Sequence, residues 1–374
     1  MMGKPLRILS VVGARPNFMK VAPIARVLAR KPDTFRHLLV HTGQHYDEQM
    51  SGSFFRTLGL SAPDVNLEVK AGSHAEQTGL VMIKLEPVLA EFRPDMVIVV
   101  GDVNSTLAAA LAAKKLNLRV AHVEAGLRSG DWTMPEEINR LATDAVSDDL
   151  FTTDRFAEAN LRREGVAESR VHLIGNVMID SLMAHLPEAR ALRHHERLGL
   201  APQTYATMTL HRPANVESRD KLAEILDAIL DSVGDLPVVF PCHPRTRKRV
   251  ADFGLSGRFV DVPGRRGIWM TEPLGYLEFM ALNSQARIVL TDSGGLQEET
   301  TILGVPCVTI RDNTERPVTI EDGSNILAGT SGSGIRSATA QMLARPAGAH
   351  RTPPLWDGKA AERIVARIES LLGA

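Results

Sequence analysis

A carboxylate stands just beyond each of two successive apolar runs: Asp102 follows Met96–Val100 in IVVGDVNST, and Glu124 follows Leu118–Val123 in AHVEAGLRS. A core strand has no use for an unpaired acid, whose burial is costly. In open parallel sheets ligands collect outside the C-terminal strand ends, so acids delivered there are placed for chemistry. Two of them at neighbouring strand ends suit proton transfer, with burial raising a pKa into a working range. Asp102 has a competing reading as a helix N-cap, because Ser105 and Thr106 follow it. Glu136 and Glu137 in PEEINR open the next helix behind Pro135, where acids already serve the helix dipole.

Anion-binding patterns complement the acids. VVGARPNFMK joins Gly13, which permits a tight turn, to the cations Arg15 and Lys20 near a helix start. It is neither the dinucleotide fingerprint nor a P-loop. The sharper pattern is VLTDSGGLQEETTILGVP, where a strand ends in Asp292 and Ser293, Gly294 and Gly295 open a helix carrying Glu298 and Glu299. Glycines there let a phosphate reach backbone amides, the serine adds a donor, and an acid one turn in accepts from ribose hydroxyls. The bland alternative is a simple N-cap by Ser293. RDNTERP then places Arg311, Glu315 and Arg316 on a loop after the next strand. His211 in LHRPANV and His243 in CHPRTRK stand at strand ends before Arg-rich loops bearing Arg212, Arg245 and Arg247, whereas His194 and His195 read as a solvated helix face. No HExxH, CxxC or EF-hand spacing occurs, so no metal is expected.

The elements that must position these residues alternate in the manner of a parallel α/β sheet. Strands are expected at Arg7–Val12, His37–His41, Met96–Val100, Val120–Val123, Leu150–Thr152 and Val171–Ile174, then Tyr205–Leu210, Val238–Pro241, Arg258–Val260, Arg287–Thr291 and Val305–Ile310. Helical patterns fall between them, and a last one over Lys359–Leu372 follows the linker-like RPAGAHRTPPLWDG, so it crosses back to the first domain. The economical arrangement is two Rossmann-like, doubly wound domains facing a central cleft: residues 1–176 with 359–374, and residues 177–358.

Bulk properties agree with a globular enzyme. A chain of 374 residues is long for one domain. With 43 basic and 44 acidic residues and no block of one sign, neither nucleic acid nor a membrane surface is an expected partner. Cys242 and Cys307 are too few for a disulfide scaffold, which points to the reducing cytoplasm. The start, MMGKPLRILSVVGARPNF, reads as strand and loop rather than as a secretory signal.

Taken in order, GARPNFMK, TGQH, GDVNST, HVEAGLRS, PEEINR, LHRP, TDSGGLQEE and TERP span nearly the whole chain. Together they resemble the non-hydrolysing UDP-N-acetylglucosamine 2-epimerases. The resemblance implies the two-domain glycosyltransferase-B fold, a UDP-sugar substrate held mainly by the second domain, no added cofactor, a homodimer, and a product destined for cell-surface polysaccharide. It assigns Asp102, Glu124 and Glu136 as acid/base carboxylates, choosing Glu136 over Glu137, and His211 as a histidine near the diphosphate. Arg15, Lys20, Gln44, His45, Arg140, His243, Ser293, Gly294, Gly295, Glu299 and Arg316 are implied as substrate or nucleotide contacts. The implied chemistry removes the C2 proton as UDP leaves C1, giving 2-acetamidoglucal, and reverses both steps with inversion at C2. The sequence departs from the common bacterial pattern at Ala14 and Asn17, where GTRPE is usual, and at LHRPAN. TGQH is followed by Tyr46-Asp47, and LEVKAGSHAEQTG lacks the arginine through which regulated members bind a second substrate molecule. Relatives acting on diacetamido UDP-hexuronates, hydrolysing epimerases and glycosyltransferases of the same fold are the competing readings, with a silent nucleotide-sugar sensor behind them.

Overall fold

The computed structural model describes residues 4–43, 59, 62–70, 72–345 and 350–373. The chain divides into two compact units, Met1–Ser181 with Pro354–Ala374, and Leu182–Pro353. The first is built on β1 (Leu6–Val12), β2 (Phe35–His41), β3 (Val65–Asn66), β4 (Met96–Val100), β5 (Val120–Ala125), β6 (Asp149–Thr152) and β7 (Val171–Leu173). They run in the order β3-β2-β1-β4-β5-β6-β7, every pairing parallel. The second holds β8 (Ala206–Thr209), β9 (Pro237–Pro241), β10 (Phe259–Val260), β11 (Gly267–Thr271), β12 (Ile288–Thr291), β13 (Cys307–Thr309) and β14 (Asn325–Leu327). Their order is β10-β11-β9-β8-β12-β13-β14, again parallel throughout.

Each sheet has a switch point, between β1 and β4 in the first and between β8 and β12 in the second, where β11 also inserts between β10 and β9. The connections on either side of such a point leave toward opposite faces, which opens a crevice at the C-terminal strand ends. Helices on both faces explain why the central strands read as unbroken apolar runs: all of MVIVV in β4 is buried. Beside it, helix Asn104–Lys115 presents buried Ala108, Ala109, Ala110, Ala112 and Ala113, small residues that bring its backbone close to the sheet. In the second unit helix Arg219–Ser232 buries Leu222, Ile225, Leu226 and Ile229, the spacing of a single apolar stripe.

The chain re-enters the first unit through a well-anchored segment. Trp356 is buried and its indole Nε1 donates to the Thr153 carbonyl at 3.0 Å. Asp180 then caps helix Ala360–Leu372, accepting from the backbone N–H of Ala360 at 3.1 Å and Ala361 at 2.7 Å. The Asp180 carboxyl is pushed up to about 6 by burial, against the pull of those two amides. Ile364, Val365 and Ile368 are buried along this helix, the face expected from their spacing. Among the described residues no helix is long and apolar enough to cross a membrane.

Several elements go beyond expectation. β3, β11 and β14 and helices Val177–Ala191 and Gly332–Ala344 have no counterpart among the expected elements, and helix Pro244–Asp252 stands where a loop is expected. The Arg-rich stretch after His243 is therefore a helix, with Arg247 donating to the Thr271 carbonyl and Arg245 ion-paired with Glu217. His195 is buried within the short helix His194–Arg197, not on a solvated face.

Candidate active site

The switch point of the first sheet lies between the ends of β1 and β4, and the expected acids stand beside it. Asp102 does not cap the following helix, whose N-cap is Val103 and carries no side-chain cap bond. Its carboxylate is instead fixed by Arg140, whose Nε donates to Oδ2 at 3.0 Å. Asn139, one residue earlier on helix Pro135–Val146, donates to the Asp102 carbonyl at 2.9 Å. Two consecutive helix residues thus hold both the backbone and the side chain of Asp102.

Glu124 is more tightly constrained. Its backbone lies at φ +72°, the left-handed region, and the β5–β6 register slips between Val123 and Ala125. A non-glycine residue in that conformation costs about 1–3 kcal/mol and persists only where its surroundings impose it. A bulge at this position re-aims the side chain. Its neighbours supply the restraint: His122 Nε2 bonds the Gly101 carbonyl at 2.8 Å, and its Nδ1 meets Asp144 Oδ1 at 2.6 Å. The other Asp144 oxygen accepts from Gly126 N at 3.0 Å and pairs with Arg128 at 2.8 Å. Burial would raise the Asp144 pKa, but the His122 and Arg128 charges outweigh it and hold the carboxyl below its ordinary range. The Glu124 carboxylate itself is ion-paired with Lys20, the two side chains being 3 % and 8 % exposed. Gly101 makes room for this pair, because a Cβ there would lie 2.7 Å from Lys20 Nζ.

Glu136 and Glu137 have separate fates. Glu137 is buried and turns back onto its own loop, accepting from Gly130 N at 2.8 Å and from Ser129 N and Oγ at 3.0 Å, and pairing with Arg140. Glu136 is half-buried in the first helical turn. Glu137 is therefore the loop's anchor, and its neighbour is the acid left for other work.

In the second sheet the switch point lies between β8 and β12. Asp292, directly after β12, is fully buried. Its Oδ2 accepts from the backbone N–H of His211 at 2.9 Å and Arg212 at 2.8 Å, and from Asn215 Nδ2 at 3.2 Å. Its Oδ1 meets His211 Nδ1 at 2.7 Å. Burial pushes the Asp292 carboxyl up, yet these partners, His211 foremost, bring it below the usual range. Ser293 precedes helix Gly294–Leu303 but makes no side-chain cap bond, so the first helical amides are left to other partners. That geometry favours the anion-binding reading of SGG over the capping one.

The two glycines serve different ends. A Cβ on Gly294 would lie 2.7 Å from Arg316 Nη1, whereas one on Gly295 would meet open space. Arg316 packs against this helix start through Glu298, 2.8 Å from its Nε, and through Glu315, which Arg311 also holds at 2.8 Å. Both arginines and both acids are buried. Arg316 thus shapes the glycine turn while its charge is balanced by carboxylates. Next to Glu298, Glu299 is buried and pushed up to about 8, by desolvation first and then by the Glu298 charge. His243 is an exposed N-cap, its Nδ1 accepting from Arg245 N at 3.3 Å.

The structure brings Lys20, Asp102, Glu124, Glu136 and Arg140 to one group of strand ends, and His211, Ser293, Gly294, Gly295, Glu299 and Arg316 to another. Gln44 and His45 lie outside the described residues, and so does the Arg15 side chain. Sequence reasoning passed over Asn139, His122, Asp144 and Asn17. Asn17 accepts from Ala14 N at 3.0 Å and donates to the Val100 carbonyl at 2.8 Å, tying the β1 loop to the β4 end. Its only signal was a polar residue in place of the usual glutamate.

The family model described as UDP-N-acetylglucosamine 2-epimerase matches residues 27–369. A UDP-N-acetylglucosamine 2-epimerase of Methanocaldococcus jannaschii is 42% identical over 365 residues, 96% of this chain and 98% of the relative. A UDP-2,3-diacetamido-2,3-dideoxy-D-glucuronate 2-epimerase of Pseudomonas aeruginosa is 40% identical, covering 87% of this chain and 88% of its own. Among solved structures, the M. jannaschii UDP-GlcNAc 2-epimerase in complex with UDP-GlcNAc and UDP superposes with a TM-score of 0.88 at 41% identity. That match covers 98% of this chain and 100% of the other.

Proposed function

The chain belongs to the UDP-N-acetylglucosamine 2-epimerase family, and from that premise we propose that it inverts C2 of UDP-N-acetylglucosamine to give UDP-N-acetylmannosamine. The observation that carries the reading is the pair of carboxylates at adjacent strand ends, Asp102 oriented by Arg140 and Glu124 held strained against Lys20. One carboxylate takes the C2 proton. The C1–O bond breaks, its electron pair leaves with the β-phosphate oxygen, and C1=C2 forms. A second acid returns a proton to the opposite face of C2, and the UDP oxygen re-adds at C1. No net oxidation occurs, so the residues supply all that the cycle needs.

In this reading Asp102, Glu124 and Glu136 are the acid/base set. His211 and the uncapped amides behind Ser293, Gly294 and Gly295 receive the diphosphate, and Glu299 receives the ribose, with Arg316 fixing that turn. Arg15, Lys20, Gln44, His45, Arg140 and His243 complete the substrate contacts. The same site accommodates a second reading, a diacetamido UDP-hexuronate as substrate, favoured by the similarity to the P. aeruginosa enzyme. A homodimer is part of the proposal. Leu80 and Ile83 on helix His74–Phe92 and Ile138 on helix Pro135–Val146 are 43%, 68% and 48% exposed, apolar surface that a second copy would cover. A cytoplasmic setting accords with Cys242 and Cys307, both buried and unpaired.

Proton NMR of the purified protein with UDP-N-acetylglucosamine in deuterated water tests the reading. Deuterium at C2 together with the manno epimer is the expected result. Free N-acetylmannosamine with stoichiometric UDP would make the enzyme hydrolysing. No exchange with this sugar, but exchange with the diacetamido-uronate, would select the second reading.

A further inference from the structure

We infer that Asp292 is a positioning residue that sets the tautomer of His211 and so decides what the outer edge of that ring can do. Its two oxygens have different tasks. Oδ2 gathers His211 N, Arg212 N and Asn215 Nδ2, which fixes the loop after β8, while Oδ1 faces the ring nitrogen Nδ1 at 2.7 Å. Asp292 is fully buried, whereas the His211 side chain is 52% exposed, so the ring is gripped at one edge and open at the other. A buried carboxylate accepts hydrogen bonds and donates none, so Nδ1 must carry a proton in either charge state of the ring. Nε2 is then the variable position: a bare acceptor in the neutral ring, a donor in the protonated one, with Asp292 balancing the charge.

This deepens the epimerase reading and rests on it. As C1–O breaks, negative charge develops on the β-phosphate oxygen, and a ring protonated at both nitrogens, its Nε2–H facing outward and its charge balanced by Asp292, stabilises that charge more than a neutral ring with the same outward N–H. No atom is transferred between Asp292 and His211, because the pair supplies orientation and counter-charge only. A purely architectural Asp292 would need Oδ2 alone.

Asp292→Asn separates the two tasks. The amide oxygen keeps the three loop donors, but its NH2 then faces Nδ1, which must accept, so the ring proton moves to Nε2. Long-range proton–nitrogen correlation of the full-length protein with nitrogen-labelled histidine, assigned with His211→Gln, reads the tautomer without substrate. Expected are Nδ1–H in the wild type, Nε2–H in Asp292→Asn, and a kcat lower by at least about tenfold with KM changed by less than about threefold. Asn215→Ala, which removes one loop donor and leaves the ring bond, is expected to keep both the tautomer and kcat. A bare Nδ1 in the wild type, whatever stands on Nε2, would overturn the inference, and that measurement stands even if Asp292→Asn fails to fold. So would a switched tautomer with kcat within about twofold of wild type, or an equal loss of kcat in Asn215→Ala. Absence of epimerisation in a wild type that shows Nδ1–H would instead fault the proposed reaction and leave the pair standing.

Discussion

The buried Lys20–Glu124 pair makes stability and turnover separable, and four proteins suffice to show it: wild type, Lys20→Met, Glu124→Gln and the double variant. With side chains 8 % and 3 % exposed, neither charge can be taken over by water when its partner is removed. Lys20→Met strands a carboxylate and Glu124→Gln strands an ammonium, each at a cost of about 3–5 kcal/mol. The double variant restores neutrality and keeps the volume, so it should cost less than either single change. Coupling on the order of 3 kcal/mol follows, where independent sites would add to within about 0.5 kcal/mol. Trp356 is buried in the first unit, so its fluorescence in urea reports unfolding where the pair resides. Turnover, measured alongside, should fall by at least about a hundredfold in both proteins that carry Glu124→Gln, the usual scale for an acid/base group. The double variant would then be nearly as stable as wild type and still inactive. Single effects that simply add would refute the pair as a unit, and full turnover in Glu124→Gln would remove Glu124 from the chemistry.

Further consequences concern other parts of the frame. Gly101→Ala combines a left-handed φ of +68° with a Cβ 2.7 Å from Lys20 Nζ, so it should lower stability by more than about 1 kcal/mol and reduce turnover, checked by thermal unfolding and the epimerase assay. Asp180 is raised to about 6 when folded, so its stabilising protonated form is fully present below the unfolded value of 3.8 and its contribution is lost as pH rises through 6. Asp180→Asn keeps only one of the two cap acceptors but carries no charge, so relative to the variant the wild type should lose up to about 3 kcal/mol of stability between acid and neutral pH; denaturation of both proteins across pH measures it. Glu299, raised to about 8 from 4.5, loses its contribution between those values, so Glu299→Gln should match wild type in acid and gain on it progressively up to about pH 8 in the same experiment. Arg316→Ala takes the arginine from Glu298 while Glu315 keeps Arg311, and should cost about 3–5 kcal/mol in the second unit, with weaker UDP binding by calorimetry.

The strand-end acids were legible because a strand buried on both faces is an apolar run with a sharp end, and whatever polar residue follows it stands out. β3 and β14 escaped notice because two or three residues carry no period, and β11 because it follows the turn-like PGRRG. Helix Val177–Ala191 is apolar on most sides and interrupted by Pro187, so no stripe appears, while helix Gly332–Ala344 opens on Gly-Ser-Gly, the signature of a loop. At the site itself sequence gave residue types without partners. Asp102 read equally as cap and as catalyst until Arg140, on another helix, was found holding it. Glu136 and Glu137 are interchangeable as letters, and only the Ser129–Gly130 amides separate them. The positive φ of Glu124 leaves no trace in the sequence, since nothing but a glycine would announce it.

The two sheets put like strands around their switch points to opposite electrostatic ends. β1, β4 and β5 occupy in the first sheet the places that β8, β12 and β13 occupy in the second. After β4 comes Gly101-Asp102 and after β12 comes Asp292-Ser293-Gly294, so both positions deliver an acid beside the switch point. Their surroundings divide the roles. Asp102 keeps 27% of its side chain exposed and meets a single arginine, as befits a group that must exchange a proton with a ligand. Asp292 is sealed and saturated by donors, which leaves it only the orientation of His211. One strand further out the contrast is one of sign, Glu124 in the last residues of β5 against Arg311 after β13. Similar switch points thus gather carboxylates in one sheet, where the proposed reaction moves a C–H proton, and amides, histidine and arginine in the other, where it releases a diphosphate. A glycosyltransferase of this fold can use one acid as base, so it is the pair of them, Asp102 with the strained Glu124, that argues for proton transfer on both faces of C2.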